Sequence, residues 1–164
     1  MRYFDLLLKD QKFPEIGSRL LAQIRAAEPQ LISFTEADAD RPRAPGKWSP
    51  KQILGHLTDS AANNHQRFIR AQELDPIKLP GYAQEHWVAC QQYEQRPWRE
   101  VIALWSNYNR HLAHVISHIS EEHREVRCEI GENESVALSY VALDYVGHIQ
   151  HHLRQIFGDS WRAV

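Results

Sequence analysis

The chain has 164 residues, 43% of them hydrophobic and 24% charged, with a formal net charge of −2. That length points to one domain, residues 1–164, large enough to bury a core without disulfide staples. The near-neutral charge excludes the broad basic footprint of a nucleic-acid binder, and no apolar run approaches the ~20 residues of a membrane helix. The opening MRYFDLLLKD lacks a separate basic region and a cleavage site, so it does not read as a secretory signal. Two cysteines, Cys90 and Cys128, make no disulfide framework. They read as reduced thiols in a cytoplasmic protein, with Cys90 buried and inert. Ten histidines, unevenly placed, are the compositional outlier.

Four stretches carry helical periodicity. The first runs from about Pro14 to about Ile32, with Ile16, Leu20, Ile24 and Ala27 at three- and four-residue spacing and Pro29 as a potential early stop. The second opens at Ser49-Pro50-Lys51-Gln52, an N-cap, a first-turn proline and a capping-box glutamine. Its stripe of Ile53, Leu54, Leu57, Ala61 and Phe68 continues to about Ala71. Asp75–Arg96 follows: it begins turn-rich, and EHWVACQQY fits a short helix. The third helix runs from near Pro97 to about Ser120 on Val101, Trp105, Leu112, Ile116 and Ile119. Glu125–Ile130 alternates weakly before the turn Gly131-Glu132-Asn133, which fits a short strand or hairpin. The fourth helix spans about Ala137–Phe157, with Gly158 as its cap. Four amphipathic helices in a chain this size imply an all-α, four-helix bundle.

Histidine direction says more than histidine count. At 100° per residue, His152 lies roughly 60° from the apolar centre of the fourth helix and His148 roughly 100°, on the same flank. His151 lies roughly 160° away and should face water. His148 and His152, four apart, stack on adjacent turns, the spacing at which two imidazoles reach one metal. His56 sits at the edge of the second helix's stripe and heads a polar column continued by Ser60, Asn63 and Arg67, suited to a pocket mouth. His114 and His118 share the same spacing but point away from the stripe of the third helix, as a solvated face. His65, His86 and His123 have no partner at useful spacing. Spacing and direction leave a metal site at His56, His148 and His152 and three unrelated bundle histidines equally open.

Two motifs tip that balance. Gly46-Lys47-Trp48-Ser49-Pro50-Lys51-Gln52-Ile53-Leu54-Gly55-His56-Leu57 resembles the entry to the second helix of the DinB/YfiT-like superfamily. The run from Asp144 to Gln155, with His148, His151, His152 and Gln155 in H-x-x-H-H-x-x-Q order, is similar to its late signature. The resemblance spans roughly Trp48 to Ile156. It implies a four-helix bundle in which His56, His148 and His152 hold a divalent metal. Many relatives carry Arg-Gly-Gln after the paired histidines where this chain has Leu153-Arg154-Gln155, a change expected to narrow the space beside the site.

Three imidazoles leave open positions on Zn, Ni, Fe or Mn, which can hold water for hydrolysis or a thiol for transfer. The expected activity is that of a metal-dependent hydrolase or thiol-dependent transferase on a small-molecule substrate. A low-molecular-weight thiol is a potential partner and a homodimer a potential assembly. Asp144, four residues before His148, is the candidate catalytic base or orienting partner, and Asp59 and Gln155 also lie within helical reach of an imidazole. Trp48 and Tyr145 read as core. The competing class is a non-catalytic metal-binding stress or scaffold protein. A carboxylate beside an open coordination position favours the enzyme, and a site plugged by side chains favours the scaffold.

Overall fold

The computed structural model describes residues 10–158 and Trp161. The N-terminal apolar run at residues 4–8 lies outside them. Six helices and three short strands follow in the order α1 Phe13–Ile32, α2 Glu36–Asp40, α3 Pro50–Arg70, β1 Ile77–Leu79, α4 Gln84–Gln91, α5 Trp98–Ser117, β2 Arg127–Ile130, β3 Val136–Ala137 and α6 Leu138–Phe157. No described helix is long and apolar enough to cross a membrane.

The four predicted helices are α1, α3, α5 and α6. Pro29 does not stop α1: it costs one backbone bond in the last turn, and the apolar face carries through to Leu31. Ser49 caps α3 as expected, with its hydroxyl accepting from Gln52 N–H and the Gln52 side-chain Oε1 accepting from Ser49 N–H. The bundle is cyclically ordered α1–α5–α3–α6, because α1 packs against α5 and α6, and α3 packs against the same two. The first two long helices of the chain therefore stand on a diagonal. Contact between α1 and α5 is close at Gly17, where a Cβ would meet Ser117 Oγ at 2.0 Å.

Two elements depart from the predictions. The short α2 forms where none was expected, capped by Thr35. It ties to the start of α3 through Lys51, which is 2% exposed and pairs with Glu36 at 2.6 Å and Asp40 at 2.7 Å. The turn-rich stretch after α3 supplies a strand as well: β1 pairs in parallel with β2 (Ile77 opposite Cys128), and β2 pairs antiparallel with β3. The β2–β3 hairpin and the short helix α4 agree with the sequence reading. Because β3 runs straight into α6 and β1 lies just after α3, the sheet ties together the two helices that face each other across the site.

Candidate metal centre

Adjacent packing of α3 and α6 decides the site. His56, on the second turn of α3, and His148 and His152, on successive turns of α6, bring one ligand nitrogen each to within 4.8 Å of the others. Ring centroids lie 5.1 Å apart for His56 and His148, 4.7 Å for His56 and His152, and 4.5 Å for His148 and His152. His56 is 1% exposed and His152 8%, while His148 borders open space. The edge position predicted for His56 understates its burial. The stripe covers only one face of α3, but α4, the loop before it and Trp48 close over another, so Ile53 through Ala61 are all buried. Trp48 thus lies against the His56 ring, tilted at a centroid distance of 5.2 Å, rather than only filling the core.

The ring orientations suit an ion. The Nε2 atoms of His56 and His148 are 3.1 Å apart. Two nitrogens about 2.0–2.1 Å from one tetrahedral centre are separated by about 3.3 Å, so a shared cation needs almost no rearrangement. Without a proton or a cation between them, two lone pairs at that distance repel. The outer nitrogens are held from behind: His152 Nδ1 meets Gln155 Oε1 at 2.8 Å, and His148 Nδ1 meets Ser60 Oγ at 3.4 Å. With both Nδ1 atoms protonated, both Nε2 lone pairs point to the centre. His56 Nδ1 is buried with no hydrogen-bond partner among the described residues. Burial, reinforced by the neighbouring rings, pushes His56 down to about 3, His152 to about 4 and His148 well below the ordinary imidazole value. All three are neutral at pH 7, the form that ligates metal.

A cleft of about 630 Å³ opens from this cluster and runs along α3 and α6. His56, Ser60, Asn64 and Arg67 line one wall, and Tyr140, Asp144 and His148 the other. The predicted polar column is present, with one exchange. Asn63 turns its amide to the Asp59 carbonyl at 2.9 Å, and Asn64 lines the cleft in its place. Asp144 is half-buried on the wall one turn before His148.

Asp59 does not reach an imidazole. It is buried, and its Oδ1 accepts from Tyr93 Oη at 2.6 Å and from Gln91 Nε2. Burial raises its carboxyl to about 6 although the Tyr93 bond opposes the shift. The Tyr93 ring lies where a side chain at position 55 would be: a Cβ on Gly55 would meet it at 2.1 Å. Sequence reasoning missed this clamp because Tyr93 is distant in the chain from Gly55 and Asp59.

Other expectations change. Arg154, at the position of the family glycine, points into solvent while Leu153 is buried, so no space is lost; a second hollow of about 640 Å³ lies beside His152 and Gln155. His151 is half-buried rather than solvated, because Gln155 Nε2 meets its Nε2 at 3.0 Å. Cys90 is exposed, not buried, since α4 lies on the surface of the bundle, and its Sγ is 3.5 Å from His86 Nε2 one turn earlier. His65 also has a partner: it meets Tyr108 Oη at 3.1 Å and faces the His111 ring. His114 and His118 are exposed, as predicted. Tyr145 is core, with its hydroxyl donated to Asn109 Oδ1 at 2.5 Å.

A helical bundle with a three-histidine pocket between its second and fourth long helices is the class of protein these features define. Residues 19–156 match the sequence profile of the DinB superfamily, and the chain belongs to it. It is 23% identical over 124 residues to a protein of Oceanobacillus iheyensis named as a candidate metal-dependent hydrolase, covering 76% of this chain and 71% of that one. Its fold matches the solved structure of YfiT from Bacillus subtilis with a TM-score of 0.73 at 20% identity, over 93% of this chain and 86% of the other. That structure is described as a probable metal-dependent hydrolase with an unusual four-helix bundle topology.

Proposed function

We propose that this chain is a metal-dependent hydrolase of small molecules, with His56, His148 and His152 as ligands and Asp144 as general base. The observation that carries the reading is the 3.1 Å approach of two Nε2 atoms in a cluster whose outer nitrogens are held by Gln155 and Ser60. A divalent ion bound there would polarise a substrate oxygen and acidify a water or thiol. Nitrogen donors of this kind suit Zn, Ni, Fe or Mn.

The chain's own residues supply the rest. The cleft admits a substrate to the His148 side of the cluster, and Tyr82 and Trp48 flank His56 and shield it from bulk water. Asp144, which lines the same cleft, would take the proton of the nucleophile on a carboxylate oxygen. An open cleft carrying a carboxylate supports an enzyme over a scaffold, whose site would be plugged.

Elemental analysis of protein purified without a histidine tag tests the metal, followed by melting curves at pH 7.5 with chelator and with added zinc. An ion at about 100 times its Kd stabilises by about 2.7 kcal/mol, a rise of roughly 5–11 °C for a chain of this size. His56→Ala should abolish most of the response. A wild-type curve indifferent to both additions refutes the site and the activity with it. Hydrolysis that proceeds without any added thiol separates hydrolase from thiol transferase, and Asp144→Asn should retain the metal while losing turnover.

A further inference from the structure

The cleft is about three turns longer than the metal cluster requires. His56 and Arg67 both line it and are eleven residues apart on α3, which is about 16 Å of helix. We propose that the Arg67 end is a subsite for a carboxylate carried by the substrate, distant from the group that reacts at the histidines. The subsite deepens the hydrolase reading and names the class of molecule the cleft takes.

Arg67 is half-buried and its charge is partly desolvated. Three other partly or fully buried cations sit on carboxylates: Lys51 on Glu36 and Asp40, Arg110 on Glu28 at 2.6 Å, Arg124 on Glu121 at 3.2 Å. Among the described residues Arg67 has no such ion pair. Its hydrogen bond is from Nη1 to the neutral Asn64 Oδ1 at 3.1 Å, and Asp144 acts on it only from longer range. A guanidinium has five N–H donors, so most of this one's remain to be satisfied. A partly desolvated cation with no carboxylate in direct contact is costly unless a ligand brings one.

The surroundings are arranged for a single anionic group. Tyr82, which flanks the same cleft, is held neutral by burial, with its hydroxyl raised to about 12. Cys128 is likewise kept as a neutral thiol, raised to about 11. Neither competes with a bound anion, and the Tyr82 hydroxyl is itself engaged by Ser60. Asp144 and Glu134 also line the cleft and would repel a dianion such as phosphate about twice as strongly as a monoanion, and a planar carboxylate matches one guanidinium fork.

Arg67 is also wired to the cluster. Its Nη1 donates to Asn64 Oδ1, Asn64 Nδ2 lies 3.3 Å from Ser60 Oγ, and Ser60 Oγ lies 3.4 Å from His148 Nδ1. The same polar chain that orients His148 therefore fixes one edge of the guanidinium and leaves the other edge to the cleft.

The test uses the full chain stripped of metal, so that it does not depend on the activity. Hexanoate and its neutral counterpart hexanamide are titrated and followed by amide chemical-shift changes. Hexanoate should bind the wild type at least tenfold more tightly than hexanamide. Arg67→Gln should remove that preference, and Arg67→Lys, which keeps the charge but not the fork, should fall between. Equal binding of the acid and the amide by the wild type, no binding of hexanoate, or unchanged hexanoate affinity in Arg67→Gln overturns the subsite. Circular dichroism and the melting temperature should be the same for Arg67→Gln and wild type, which excludes misfolding as the cause. Failure of the wild type to take up zinc would refute the hydrolase reading while leaving the carboxylate result to stand or fall by itself.

Discussion

Replacing Tyr93 with Phe deletes one oxygen and leaves the ring in its place against Gly55. Asp59 then loses the 2.6 Å bond to its Oδ1, while its Oδ2 already has no partner among the described residues. The remaining donor is Gln91 Nε2. At pH 7.5 the carboxyl, whose native value is about 6, is ionised. A hydrogen bond to a charged group contributes about 1.5–3 kcal/mol, so the variant should melt roughly 3–12 °C lower. The penalty has a pH signature. An acid raised in the folded state contributes stability that is full below its unfolded value of 3.8 and is lost as pH rises through about 6. Without the tyrosine donor the folded value rises further, so the loss on going from pH 5 to 7.5 is larger in the variant. At pH 5 the native carboxyl is protonated and the deleted bond is an ordinary neutral one, contributing about 0.5–1.5 kcal/mol. Thermal melts of wild type and Tyr93→Phe at both pH values, each also in an Asp59→Asn background, measure this directly. A penalty equal at pH 5 and 7.5, or undiminished in the Asp59→Asn background, would refute the account of a buried carboxylate held by Tyr93.

Gly55→Ala should be worse than Tyr93→Phe, about 3 kcal/mol by urea unfolding, because the new methyl displaces the Tyr93 ring and breaks the same bond. Metal-free protein should lose stability as pH falls below 6.5: histidines whose folded values are depressed stabilise above the unfolded value and lose that contribution as pH drops. At pH 5 the loss is about 2 kcal/mol for each of His56 and His152, larger than the opposing gain at Asp59, and His152→Ala should flatten a plot of Tm against pH in chelator. His114→Ala with His118→Ala should leave zinc stoichiometry by elemental analysis unchanged, whereas His148→Ala with His152→Ala should abolish it.

What could be read from the sequence was what is periodic or local. The capping box at Ser49 and the stripes of the four long helices depend on residues within one or two turns, and their directions already placed His148 and His152 on one flank. Contacts between distant segments were not accessible that way. Nothing near Asp75 announces that Ile77 pairs with Cys128, since a parallel ladder is defined only by its partner. Burial of His56 depends on Trp48 and on the segment around Tyr82, neither of which is on its helix. Asp59 looked like a candidate to orient an imidazole because helical phase put it near the ligand column. Tyr93 claims it instead, and only the glycine at position 55 hinted that something large approaches there.

The three-stranded sheet has a consequence for how such a protein can diversify. Sliding α6 along α3 by one turn would break the β1–β2 ladder, so the separation of His56 from His148 is locked by backbone hydrogen bonds rather than by the loops. Past Gly131, whose N–H still bonds the Leu79 carbonyl at 2.9 Å, the exposed connection between β2 and β3 carries no such duty, yet its Asn133 and Glu134 border the cleft. Lengthening or recolouring that connection would reshape the entrance while leaving the imidazole geometry untouched. On the hydrolase reading proposed above, one part of the molecule would be free to change which compounds are admitted, and another would be obliged to keep the chemistry constant.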